Sequence, residues 1–177
     1  MFRKHESKSA IASIESELTS VKTDTIFYEL FQSFPKIFFE LINLPPEVAN
    51  NYDFSSVEVK QLAFRIDAVF LPNNDPKTPI YFVEVQFQED KEFYSRFFGE
   101  IFLYLHKTEL NNNWIGIVFY PTRSIDVGET ERYSELLLSG RVRRIYLDEL
   151  EETTPPSIAV ETVKLVIQDL RKNCQKA

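Results

Sequence analysis

Ile80-Tyr81-Phe82-Val83-Glu84-Val85-Gln86-Phe87 decides the fold. It follows Pro79 and is apolar or aromatic everywhere except at Glu84 and Gln86, which predicts a central strand over 80–87 buried on both faces. Side chains alternate along a strand, so Glu84 and Gln86 share one face while Val83 and Val85 share the other. A carboxylate taken out of water there costs several kcal/mol unless something pairs with it. Asp67 poses the same problem upstream. It lies between Ile66 and Ala68-Val69-Phe70 in VEVKQLAFRIDAVFL, Val57 to Leu71, which reads as one strand or two short ones. The run Pro72-Asn73-Asn74-Asp75-Pro76 is a turn. Antiparallel pairing across it would bring Asp67 and Glu84 side by side. Two acids that close repel in a dry site, and a divalent cation is the simplest remedy.

Outward from this pair the pattern is helical. Ile26, Phe27, Leu30, Phe31 and Phe34 recur at helical spacing after Thr23 or Asp24 as a cap, with Pro35 placed to bend or stop the helix. A second apolar cluster, Phe38 to Leu44, ends at Pro45-Pro46. Residues 89–109 put Phe93, Phe97, Ile101, Tyr104 and Leu105 on one helical face, with Arg96, Glu100 and Lys107 left for the others. Trp114 to Tyr120 reads as a strand, Tyr133 to Leu138 as a short helix, and Arg141 to Leu147 as an alternating edge strand. Ile158 to Leu170 reads as a terminal helix packing by one side. The expected fold is α/β: a small mixed sheet flanked by helices on both sides. Residues 1–21 read as a polar arm or frayed helix, 22–154 as the α/β domain, and 155–177 as an amphipathic helix docked on it.

Composition narrows the chemistry. Of 177 residues, 44% are hydrophobic and 27% charged, which fits an ordinary globular domain and excludes wholesale disorder. Four glycines give no material for a phosphate-binding or dinucleotide loop. One cysteine, Cys174, suits a reducing cytoplasm, and no stretch approaches a membrane span. The two histidines, His5 and His106, lie far apart, so a metal here would be held by oxygen. Asp and Glu oxygens select hard cations such as Mg2+ or Mn2+, which favour chemistry on phosphates. A net charge of −7 speaks against broad contact with a nucleic-acid backbone, although the distribution of charge matters more than its total.

An early helix, Asp67 in an apolar strand, a turn, Glu84-Val85-Gln86 in the next strand and a following helix together resemble the PD-(D/E)XK nuclease superfamily, with its restriction-endonuclease-like core. Thr23 to Phe31, Arg65-Ile66-Asp67, Phe82 to Gln88, and the helix with Tyr94, Arg96 and Tyr104 are similar to the recombination-promoting, transposase-like nuclease group. Within that group, the pattern resembles a subgroup of bacterial proteins, many of them cyanobacterial. The resemblance runs from about Lys22 to Leu150. It implies a metal-dependent DNA endonuclease leaving a 5′-phosphate, with Asp67, Glu84 and the Val85 carbonyl as metal ligands. Gln86 stands where the motif lysine usually sits. Asp24 or Glu29 would be a further acid. An amide lacks the charge of lysine, so a nearby base would have to compensate, with Arg96 the first candidate and Lys60 the second.

Other readings compete at each position. Asp67 and Glu84 could instead form salt bridges to Arg65 or Arg96 at a partly buried corner of the sheet. Arg141, Arg143 and Arg144 form a compact basic patch in the sequence, fit either to touch DNA phosphates or to guard an edge strand against aggregation. A homodimer would align two cuts. The alternative function is a catalytically inactive nuclease-like module that binds DNA or protein, which Gln86 and the acidic charge favour; a purely structural scaffold is a third reading.

Overall fold

The computed structural model describes residues 25–59, 64–73, 75–150 and 157–174, and the side chains of 56–59, 64, 65, 67 and 169–174 lie outside that description. The 1–21 arm therefore lies outside it as well. Residues 25–33 form helix α1, the chain turns at Phe34, and α2 (Pro35–Leu41) begins with its proline in the first turn, where no backbone N–H is needed. The α2 helix closes on Asn43, which adopts φ 60°, a left-handed cap that asparagine tolerates better than most residues. A 3-10 turn over Pro46–Asn51 leads into the sheet.

Five strands follow: β1 (Tyr52–Val59), β2 (Phe64–Pro72), β3 (Ile80–Val85), β4 (Trp114–Tyr120) and β5 (Val142–Tyr146). They lie side by side in chain order. The first three pair antiparallel, while β3, β4 and β5 run parallel. Parallel neighbours need a crossover, supplied by α3 (Phe93–Lys107) between β3 and β4 and by the segment with α4 (Ser134–Leu138) between β4 and β5. The last helix, α5 (Ile158–Cys174), packs beside α2.

The expected class is the one found, a mixed sheet with helices on both faces. One core joins α1, α2 and α5 to the Phe70, Tyr81, Val83 and Phe119 face of the sheet. The other joins α3 to the Ile66, Phe82, Val118 and Tyr120 face. Phe38 sits at the centre of the first, stacked on Phe70 at 4.3 Å and edge-on to Phe31, Phe39 and Tyr81.

The helix expected over 89–109 is shorter, Phe93–Lys107, the last helix runs on to Cys174, and two strand boundaries move by two residues or more. The first strand starts at Tyr52 rather than Val57: Tyr52 is buried and Asp53 exposed, but Ser55-Ser56 hides that alternation. The central strand stops at Val85 rather than Phe87, so Gln86 lies just past its end.

The hairpin turn fixes the β2–β3 register. The Asn112 side chain donates to the carbonyls of Asp75 and Thr78 at 2.8 and 2.9 Å, and Asp75 accepts from the Lys77 amide at 2.9 Å. Strand pairing then runs Phe70↔Tyr81, Val69↔Phe82 and Ala68↔Val83.

Candidate functional site

Glu84 is the polar residue in a strand that is buried from end to end. It is 4% exposed and lies on the α3 side with Ile80 and Phe82. Arg96, one turn into α3, donates from Nη1 to its Oε1 at 3.1 Å. The same guanidinium reaches Asp90 Oδ2 at 3.3 Å and lies 3.7 Å from Glu100 Oε1, one turn further along the helix. Burial pulls the Arg96 pKa down, but the charge and hydrogen bond of Glu84, then the charge of Glu100 and the hydrogen bond of Asp90, together hold it above the usual arginine value. One fixed cation thus serves three acids, two of them inside the protein.

Asp67 occupies the neighbouring strand at a break in its regularity. The β2–β3 pairs end at Ala68↔Val83, and the next step of that register would set Asp67 opposite Glu84. On its other side β2 pairs Ser55↔Val69 and then Val57↔Ile66, so Asp67 and Ala68 together oppose the single residue Ser56: a β-bulge. Ile66 and Val69, three apart, consequently both face the α3 core. Bulges re-aim side chains and interrupt pairing, and they recur beside active sites. The Asp67 side chain itself lies outside the described residues, as do Asp24 and Lys60. Among the described residues, no three His, Cys, Asp or Glu side chains are arranged to hold a metal ion.

The remaining sequence candidates scatter. Gln86 turns its amide to the Gln88 carbonyl, tying off the strand end, and its backbone N–H bonds the Phe119 carbonyl at 2.9 Å. Val85 points into the α1–α2 core, while its backbone stays level with the site. Glu29 is exposed on α1, across the sheet from Glu84, so the structure does not bring them together. The three arginines of the expected basic patch are divided because successive residues of an extended strand face opposite ways. Arg141 bonds the Trp114 carbonyl at 2.6 Å, Arg143 bonds the Ile42 carbonyl at 3.0 Å on one face, and Arg144 reaches Asp126 Oδ2 at 3.1 Å on the other.

A second polar cluster adjoins the first. The Asp126 side chain, 5% exposed, accepts hydrogen bonds from Tyr94 at 2.9 Å, Tyr146 at 2.8 Å and Arg144, and Tyr120 donates to the Tyr94 hydroxyl at 3.2 Å. These bonds fasten the loop after β4 to the start of α3, two residues from Arg96. Gly128 in that loop packs against the Tyr94 ring, where an added Cβ would lie 2.7 Å from a ring carbon. Burial first, and then the hydrogen bond to Asp126, push the Tyr146 phenol up to about 12, and Tyr94 and Tyr120 are raised as well, chiefly by burial. A phenol raised in the folded state stabilises it fully below its unfolded pKa of 10.0, and that contribution is lost as pH climbs through the folded value. Denaturant titrations should therefore show stability falling between pH 10 and about 12, and Tyr146→Phe should flatten that fall. An unchanged slope in the variant would remove Tyr146 from the explanation.

Residues 23–177 match the family described as a protein of unknown function (DUF2887). The chain belongs to that family. No curated protein and no solved structure matches it. The DUF2887 match spans α1 to α5 and so takes in both polar clusters. Among the described residues, no helix of this DUF2887 chain is long and apolar enough to cross a membrane.

Two acids with buried side chains, Glu100 and Asp126, escaped the sequence reading. Glu100 was assigned to an outer helical face, yet it is 1% exposed. The signal was present, since Glu100 stands seven residues after Phe93 and three after Phe97, inside the apolar stripe. Asp126 had no such signal, because its partners Tyr94, Arg144 and Tyr146 lie on two distant elements.

Proposed function

We propose that this DUF2887 chain is a metal-dependent endonuclease acting on DNA, of the PD-(D/E)XK type, serving recombination or mobile elements. One observation carries the reading: a buried glutamate in an otherwise apolar strand, level with a bulged aspartate, at the step where the ladder between their strands ends. The order of an early helix, the Asp67 strand, a turn, the Glu84 strand and a following helix also supports this reading.

The donor set fits a hard cation, since the Asp67 and Glu84 carboxylates and the Val85 carbonyl are all oxygen. Mg2+ or Mn2+ held there would supply charge stabilisation for phosphodiester hydrolysis. Arg96 provides the fixed positive charge that Gln86 lacks, beside Glu84 at the junction of β3 and α3. Gln86, bound to the Gln88 carbonyl, shapes the end of the strand. Asp90 and Glu100 keep Arg96 in place.

The Glu84–Arg96 ion pair also favours a second reading, a nuclease-like module that binds DNA without cutting it, because Arg96 already satisfies one oxygen of the acid. Supercoiled plasmid incubated with Mn2+ or Mg2+ separates the two. Nicking is expected, is abolished by chelator, and falls at least about 100-fold in Asp67→Asn and in Glu84→Gln. Retardation of DNA without any metal-dependent nicking selects the second reading.

A further inference from the structure

An aromatic group at the far end of β4 has no role in either cluster. Phe102 on α3 is 49% exposed. It stacks on Phe98 at 6.4 Å and stands at 90° to Trp114, 6.0 Å away. Trp114, the only tryptophan of the chain, rests in turn against Phe82. The Arg141 guanidinium lies 5.3 Å from the Trp114 ring centre, fixed by the Trp114 carbonyl and the Asn113 side-chain oxygen.

Arg96, Arg123, Arg132 and Arg144 all pair with carboxylates. Among the described residues, neither Arg141 nor Arg143 pairs with a carboxylate; Arg143 is taken up by the Ile42 carbonyl, whereas Arg141 lies against an aromatic ring. A half-exposed ring, Phe102, set against a tryptophan that itself carries a fixed guanidinium suits a flat heterocycle linked to an anion.

We propose that Phe102, Trp114 and Arg141 form a binding site for an unpaired nucleobase and its adjoining phosphate, and hence for single-stranded nucleic acid. The proposal rests on the nuclease reading for its purpose and supplies that reading with a substrate subsite. The base stacks on Phe102, and Arg141 meets one phosphate. Because the chain is acidic, stacking dominates and the salt dependence is shallow, with a logarithmic slope of about −0.7 for one neutralised phosphate. Trp114 pairs opposite Ile80, four residues before Glu84, which sets the site about 13 Å from the buried acid along the sheet. Its loss therefore weakens binding and leaves the chemistry intact.

Trp114 is its own reporter. Titrating a short oligothymidylate into the full chain, with chelator present so that nothing is cut, should quench its fluorescence saturably. A duplex of matched length should bind more weakly. Phe102→Ala should weaken binding about tenfold or more, Arg141→Gln should remove the salt dependence, and Phe102→Tyr, which keeps the ring, should bind as the parent does. Absence of saturable quenching, or equal binding by Phe102→Ala, overturns the proposal. So does a fluorescence change that follows protein concentration without oligonucleotide, since a second copy would then be covering the rings. Quenching without plasmid nicking leaves this site standing and removes the nuclease reading; nicking with an unchanged KM in Phe102→Ala does the reverse.

Discussion

Arg96→Ala should lower the stability of the chain by about 3 kcal/mol, the lower end of what removing one partner of a buried ion pair costs. The lower end applies because Arg96 is itself 34% exposed and partly hydrated. The loss arises on the carboxylate side: Glu84 and Glu100 stay inside the protein without the guanidinium that offsets them. For a chain of this size the melting temperature should drop by about 6–12 °C. Arg96→Lys should recover less than half of it, since one ammonium cannot fork across Glu84, Asp90 and Glu100 together. A melt for Arg96→Ala within a degree of the parent would show that the acids draw nothing from that helix.

Phe38→Ala should cost more, about 3–5 kcal/mol, measured from the midpoint of urea unfolding at unchanged slope. Phe38 is fully buried and touches rings from both layers it joins: Phe31 and Phe39 on the helices, and Phe70, Tyr81 and Phe119 on the sheet. No neighbouring side chain is free to fill the gap, because each is itself locked in ring contacts. A cost under about 1 kcal/mol would mean that the α2 layer collapses onto the sheet far more readily than a close-packed core should.

The sheet was legible in the sequence wherever both faces of a strand are buried. IYFVEVQF and WIGIVFY carry their assignment in composition alone, and β4 spans Trp114–Tyr120 as expected. The half-exposed β1 was read short because two serines break its period, and the end of β3 was read long because Phe87 continues the apolar run after the ladder has stopped. The pairing of the Asp67 and Glu84 strands followed from the turn and the two misplaced charges. The bulge did not, since a single extra residue leaves no mark on hydrophobicity. Arg96 was named both as a salt-bridge partner for Glu84 and as a compensating base, and the contact found is the ion pair of the first reading. What escaped the sequence was long-range geometry, as in the Asp126 cluster, and the separation of Arg143 from Arg144, which adjacency in the sequence disguises.

That separation bears on how the chain matures. Through Arg143 and Arg144, β5 fastens the α2 layer on one face and the loop after β4 on the other, the first contact spanning 101 residues of sequence. Until residues 142–146 have left the ribosome, the outer edge of β4 has no neighbour and neither fastening exists, so a nascent chain carries a bare strand edge of the kind that recruits foreign strands. Only once Leu147 has emerged from the ribosome can this protein close its sheet before meeting another copy of itself.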